Sequence, residues 1–198
     1  MWPLGACAVL GVLIIIWKFF DLQAKAGKNR TILRDVDELI TQGRLDEALA
    51  ICEDSTAPAA QVLKAGLQRH GEGTERAMQA IENAGAIQVA SLERGLVWLA
   101  TLSNVAPLLG FLGTVVGMIM AFQAIEIAGE VEATLVAGGI KVALITTAAG
   151  LMIAIPINIM HNYFITRIDR LVIDMEESAQ RFIDALHERE ARRAAAAH

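Results

Sequence analysis

Charge is missing from three long stretches of this chain. Asp, Glu, Lys and Arg are absent from Trp2 to Trp17 and from Gly95 to Ile125, and between Ala133 and Phe164 Lys141 stands alone. A helix rises about 1.5 Å per residue, so about 20 apolar residues cross a hydrocarbon core of about 30 Å. The absences exclude an ordinary soluble domain and give three candidate spans, the second long enough to project beyond a bilayer. A hydrophobic content of 55% and a mean hydropathy of +0.46 agree with a membrane protein. No carboxylate lies inside any span, so a lone chain lacks the group that a proton carrier normally uses.

Cysteine is scarce too. Cys7 sits in the first span and Cys52 in a charged block, so they are poorly placed to pair, and neither has the neighbours of a metal site or a reactive thiol. Two structural cysteines are expected, with no metal and no cofactor. A nucleophile–base set, a phosphate loop and metal-ligand spacing are likewise absent, which argues against an enzyme. No basic residue precedes the first apolar run and no small-x-small cleavage site follows it. It reads as an uncleaved anchor, with a buried helix as the alternative. The run begins abruptly at Met1, which leaves open an upstream stretch.

The charges that are present are segregated. Apart from Lys18 and Lys141, every Lys and Arg falls between Asp21 and Arg94 or after Ile165, whereas the link between the second and third spans carries Glu126, Glu130 and Glu132 and no basic residue. The positive-inside rule then places the N-terminus outside, the 21–94 block inside, the acidic link outside and the tail inside. The expected division is a first transmembrane helix over 1–20, a cytoplasmic helical domain over 21–94, a second transmembrane helix over 95–127, the outer link and third transmembrane helix over 128–164, and a cytoplasmic helical tail over 165–198.

Within 21–94, short helices are expected. Ile32, Leu33, Val36, Leu39 and Ile40 recur at helical spacing, Gly43 breaks the pattern, and Leu45, Ala48, Leu49 and Cys52 resume it. Pro58 restarts a helix through Val62, Leu63 and Leu67, with Met78 and Ile81 continuing the theme. His70 reads as a solvated loop histidine. In the tail, Ile165, Ile168, Val172, Met175, Ala179, Phe182 and Leu186 step alternately by three and four, a heptad seam expected to pack against neighbours, with fraying beyond Leu186.

Ala106, Gly110, Gly113, Gly117 and Ala121 fall on one stripe of the second span, with Thr114 beside it; Gly139, Ala143, Thr147, Gly150 and Ala154 do the same in the third. Lipid tails are as apolar as leucine, so small residues mark surfaces where helices approach closely. One reading is helix packing alone, each threonine bonding back to its own helix. The other is a pore-facing surface on Gly110, Gly113, Gly117, Ala143 and Gly150, along which Thr114 and Thr147 mark a polar path. Pro107 and Pro156 free carbonyls and are candidate kinks. A mid-span lysine lies about 2.5–3.5 kcal/mol uphill. Lys141 is therefore expected near the outer mouth, paired with Glu126, Glu130 or Glu132, or taking part in ion movement.

Leu92 to Leu96, followed by Leu99 to Gly117 with Pro107, Gly110 and Thr114, resembles the second span of the MotA/TolQ/ExbB proton channel family. Gly139-Ile140, Ala143 to Leu151 and Ala154 to Pro156 resemble its third span, and Asn162-Tyr163-Phe164 fits the inner end. The resemblance is specific over Leu92 to Asp169 and nearer to ExbB and TolQ than to MotA, which has four spans. It implies an all-α integral membrane protein with three transmembrane helices and long cytoplasmic helical extensions, five copies surrounding a central pore. That pore would hold a dimer of an ExbD/TolR-type single-span protein whose aspartate carries the proton, and the family's route-lining threonines match Thr114 and Thr147. Work would reach a TonB- or TolA-type periplasm-spanning protein from a bacterial inner membrane. Close relatives of ExbB usually carry a glutamate where this chain has Val142, beside Lys141. The leading expectation is a proton-channel or stator subunit coupling proton-motive force to outer-membrane transport or envelope work. The alternatives are a non-conducting scaffold that clamps a single-span partner, and a flagellar-stator-like motor, which would predict a fourth span.

Overall fold

The computed structural model describes residues 2–130 and 132–196. Met1, Val131 in the link, and Ala197 and His198 at the end of the tail, where fraying is expected, lie outside them. The elements are α1 (Trp2–Thr41), α2 (Leu45–Glu53), α3 (Pro58–Leu67), a 3-10 turn (His70–Glu72), α4 (Thr74–Glu93), α5 (Leu96–Ala128) and α6 (Ala133–Ala196). Three helical stretches, Trp2–Thr41, Leu96–Ala128 and Val136–Arg189, are long and apolar enough to cross a membrane. The chain divides into two units, Met1–Phe19 with Gly95–Phe164, and Phe20–Arg94 with Ile165–His198.

In the second unit the expected short helices begin only after Gly43, because α1 does not stop at the first charges. It continues through Asp21 and Lys25, which form an i,i+4 ion pair of 3.0 Å. Its Asn29 accepts a hydrogen bond at 2.8 Å from the Ala59 backbone N–H. That bond satisfies one of the first-turn donors of α3, which its own helix cannot. Leu45, Ala48 and Cys52 are buried on one face of α2. Burial pushes the Cys52 thiol up to about 11 against the opposing charge of Lys64, so it stays protonated and inert. His70 is half-buried, with Nδ1 2.7 Å from the Leu67 carbonyl. It closes the end of α3 and is not the solvated loop residue expected. Met78 is exposed at 48%, out of phase with buried Ala77 and Ile81.

The tail seam packs against the chain's own helices. A Cβ built on Gly66 of α3 would stand 2.9 Å from the Phe182 ring and 2.6 Å from Ile81 of α4. The buried register runs through Ile168, Leu171, Met175, Ser178, Phe182 and Leu186, while Ile165 is exposed, and the helix continues past Leu186 to Ala196.

Asp37 ties α1 to α6. Its Oδ2 accepts from Arg181 at 2.8 Å, and its Oδ1 is buried without a partner. Burial raises the carboxyl above its ordinary 3.8, outweighing the opposite pull of Arg181, while Arg181 is itself raised, first by Glu177 and then by Asp37. The partners thus disagree on whether the pair favours the charged forms. The carboxylate governs, because the guanidinium is exposed and screened by solvent. A raised folded value means the folded state binds the proton more tightly, so this group's contribution falls as pH rises from 3.8 through the raised value. Asp37→Asn, which resembles the protonated acid, is therefore expected to match the native chain at low pH. At neutral pH it should equal or exceed it in stability. Chemical unfolding at several pH values checks this, and an Asp37→Asn chain less stable than the native one at neutral pH would show that the ion pair dominates.

In the first unit α5 and α6 form an antiparallel hairpin with α1 beside it. Gly95 enters α5 at φ +93°, where a side chain would be strained and its Cβ would stand 3.2 Å from the Trp17 ring. Gly129, at φ +74°, ends α5 with its N–H bonded to the Ile125 carbonyl at 2.9 Å, so Glu126 belongs to the last helical turn and not to the link. Leu4 is buried with Ala106 and Ala154, and Gly11 faces Ile157. α1 therefore runs parallel to α6 and antiparallel to α5. Lys18, which the sequence marks only as the end of an apolar run, is fully buried with its ammonium 5.7 Å from the Trp17 ring centroid.

Candidate functional site

The two small-residue stripes meet each other. A Cβ on Gly117 would stand 2.7 Å from the Gly139 carbonyl oxygen and 2.9 Å from the Ala143 nitrogen. One on Gly139 would press on the Gly117 carbonyl oxygen and come within 2.7 Å of the Ala121 methyl. Further along, a Cβ on Gly110 would lie 3.1 Å from Thr147 Cα, one on Gly113 2.5 Å from Thr146 Cβ, and one on Gly150 2.7 Å from the Ala106 carbonyl oxygen. The backbones are in contact over four turns, a closeness only hydrogen or methyl side chains allow. Gly110, Gly113, Gly117, Ala143 and Gly150, expected to face a pore, lie within one chain against the other helix of the hairpin. These residues are consumed by the α5–α6 contact of one chain, and the spacing that revealed them carries no information about which surface they meet.

The threonines divide between the two readings. Thr114, half-buried, donates to the Phe111 carbonyl of its own helix at 2.6 Å. Thr147, also half-buried, donates across the hairpin to the Gly110 carbonyl at 3.2 Å. Its hydroxyl keeps lone pairs that can accept a further hydrogen bond. Thr146, which sequence reasoning passed over, is buried at 8% exposure and sits between Gly113 and its own helix, its hydroxyl 3.0 Å from the Val142 and 2.9 Å from the Ala143 carbonyl. Gly113, facing it one turn from Gly117, was the available signal. Ser103, earlier on α5, is buried and donates to the Ala100 carbonyl at 2.8 Å.

Pro107 is half-buried and Pro156 exposed, and α5 and α6 each continue through them. Lys141 and Val142 are exposed, Lys141 on the face of α6 turned away from the stripe. Lys141 borders an open groove of about 620 Å³ lined by Ala133, Val136, Ala137, Ile140, Leu144 and Ile145. The Gly117–Gly139 and Gly117–Ala143 contacts set Lys141 level with Gly117. Glu126 then lies about nine residues further along α5, about 13 Å away at 1.5 Å per residue, Glu132 stands just before α6 at a similar remove, and Glu130 lies beyond them. The expected pairing with the acidic link is not formed, because a lysine side chain cannot span that rise. No cluster of metal-ligating side chains occurs among the described residues.

Three long apolar helices, two of them locked by small residues into a hydroxyl-bearing hairpin whose apolar length carries no carboxylate, define a multi-pass helical membrane protein. Its sequence matches the MotA/TolQ/ExbB proton channel family over residues 54–177, and the chain belongs to that family. It is 33% identical over 138 residues to a biopolymer transport ExbB homolog of Methanothermobacter thermautotrophicus, covering 70% of this chain and 49% of that protein. It is 37% identical over 116 residues to the Tol-Pal system protein TolQ of Haemophilus influenzae, covering 59% and 50%. It is 29% identical over 160 residues to biopolymer transport protein exbB1 of Vibrio cholerae, covering 78% and 70%. The chain spans about half the length of the first two of these relatives.

Proposed function

We propose that this chain is the channel subunit of an ion-driven membrane motor, working with an ExbD/TolR-type single-span protein. Five copies surround that partner in the bacterial inner membrane, with residues 20–94 and the tail in the cytoplasm and the Glu130–Glu132 link outside. The observation that carries the reading is Thr147. It is a hydroxyl bonded to the Gly110 carbonyl of the facing helix, within a hairpin whose apolar length contains no acid of its own. A hydroxyl can relay a proton but cannot hold one at neutral pH, so the titrating carboxylate has to arrive on the partner's helix. Thr114 extends the hydroxyl path on α5. Outward work on a TonB- or TolA-type protein is part of the same proposal, supported by relatives that include Tol-Pal and biopolymer transport proteins. No enzymatic step is part of this reading.

One observation favours the alternative, a scaffold that clamps its partner without passing ions. Both threonine hydroxyls already donate to backbone carbonyls, as purely structural threonines do. Proton flux in liposomes containing the chain and its partner separates the two readings. Flux that depends on the partner's membrane aspartate is expected, whereas a stable complex without flux would establish the scaffold.

A further inference from the structure

Three exposed rings with a polar edge in the first unit gather at one level, which excludes Trp2 at the start of α1. Trp17, Trp98 and Tyr163 are exposed at 56%, 66% and 42%. Trp17 abuts Gly95, and the antiparallel register of α5 and α6 brings Tyr163 to the same level. Aromatic rings with a polar edge collect at the headgroup level of a bilayer. Lys141 lies about 22 residues from Tyr163 along α6, about 33 Å at 1.5 Å per residue, which is one hydrocarbon thickness away. Between those levels neither helix carries a charge.

Side chains on a helix lean toward its N-terminus, and the N-terminus of α6 is the end away from the aromatic level. Lys141 is thus directed out of the bilayer, past Ala137 and Ala133, whose small size opens the groove described above. Its walls are apolar, and the acids of the link are out of reach. The anion that a membrane supplies at that depth is a lipid phosphate, and a lysine near the surface favours an anionic lipid.

We propose that Lys141 and this groove bind the headgroup of an anionic phospholipid at the boundary opposite the aromatic belt, with an acyl chain lying over Leu144 and Ile145. The lipid fixes the depth of the hairpin in the bilayer. The inference rests on depth and charge alone and stands apart from proton conduction.

The test places the whole chain in nanodiscs containing equal amounts of phosphatidylglycerol and phosphatidylcholine, then counts lipids retained after extraction by native mass spectrometry. The native chain is expected to retain phosphatidylglycerol about fivefold over phosphatidylcholine, equivalent to about 1 kcal/mol. Lys141→Arg should keep that preference and Lys141→Met should bring it to parity. Equal retention of the two lipids by the native chain overturns the proposal, and does so even if Lys141→Met fails to accumulate. So does an unchanged preference in Lys141→Met, or cross-linking of position 141 to the single-span partner in place of lipid. Loss of proton flux in Lys141→Met with lipid preference intact would sink this inference and leave the channel reading standing.

Discussion

Thr147→Val is expected to abolish proton flux and the work it drives while leaving the chain folded. Valine matches threonine in shape and in branching at Cβ, so the contact with Gly110 is kept and only the hydroxyl is lost. The Gly110 carbonyl is on α5 and retains its helical partner, so no buried acceptor is orphaned. Interhelical hydrogen bonds in membranes average about 0.6 kcal/mol, a loss the hairpin tolerates. Thr147→Ser restores the hydroxyl without the methyl and is expected to recover flux. The measurements are proton flux in liposomes with the partner present and thermal unfolding of the purified chain. A purely structural threonine would give the opposite pattern, a slightly lower melting temperature and undiminished flux in Thr147→Val, and that result would remove Thr147 from the path.

Gly139→Val is expected to prevent the hairpin from forming. The added carbons would occupy the space of the Gly117 carbonyl oxygen and of the Ala121 methyl, 2.7 Å from the Cβ position. Overpacking a core that can give way costs about 1–3 kcal/mol. Here the obstacle is backbone on a long helix, so relief requires the helices to part, and the Gly110–Thr147 and Gly150–Ala106 contacts are lost with it. Gly139→Ala is expected to be destabilised toward the upper end of that range, and Gly138→Ala, which meets nothing within 4 Å, to be neutral. Yield of extractable, cooperatively melting protein measures all three. A Gly139→Val chain that melts like the native one would show that α5 and α6 do not pack in this register.

Several features were legible before any coordinates. The three apolar stretches became helices capable of spanning a membrane, the break at Gly43 and restart at Pro58 fell where the residues demanded, and both small stripes lie on single helical faces. The tail seam was legible as a periodicity but its partner was not, since a repeat of three and four names a face and says nothing of what covers it. The same limit holds for the stripes, whose spacing could not name the α5–α6 contact they make within one chain. Thr146 and Thr147 show it at single-residue scale. One hundred degrees of helical rotation puts Thr146 in the seam and Thr147 at its edge, and sequence spacing alone had chosen only the latter. Lys18 and Asp37 are further cases, because burial of a charge depends on elements far away in the chain.

By itself, then, the sequence determined that the protein crosses a membrane as helices, which of their faces admit a close neighbour, and that no acid is available within them. Those properties are local, written in hydropathy and in a period of 3.6 residues. Only the tertiary structure decided that the neighbour of each small face is the other, which threonine bridges the gap, and how far Lys141 stands from every acid of the link. Register between two helices is set by the summed fit of many side chains along both, and no single segment contains it.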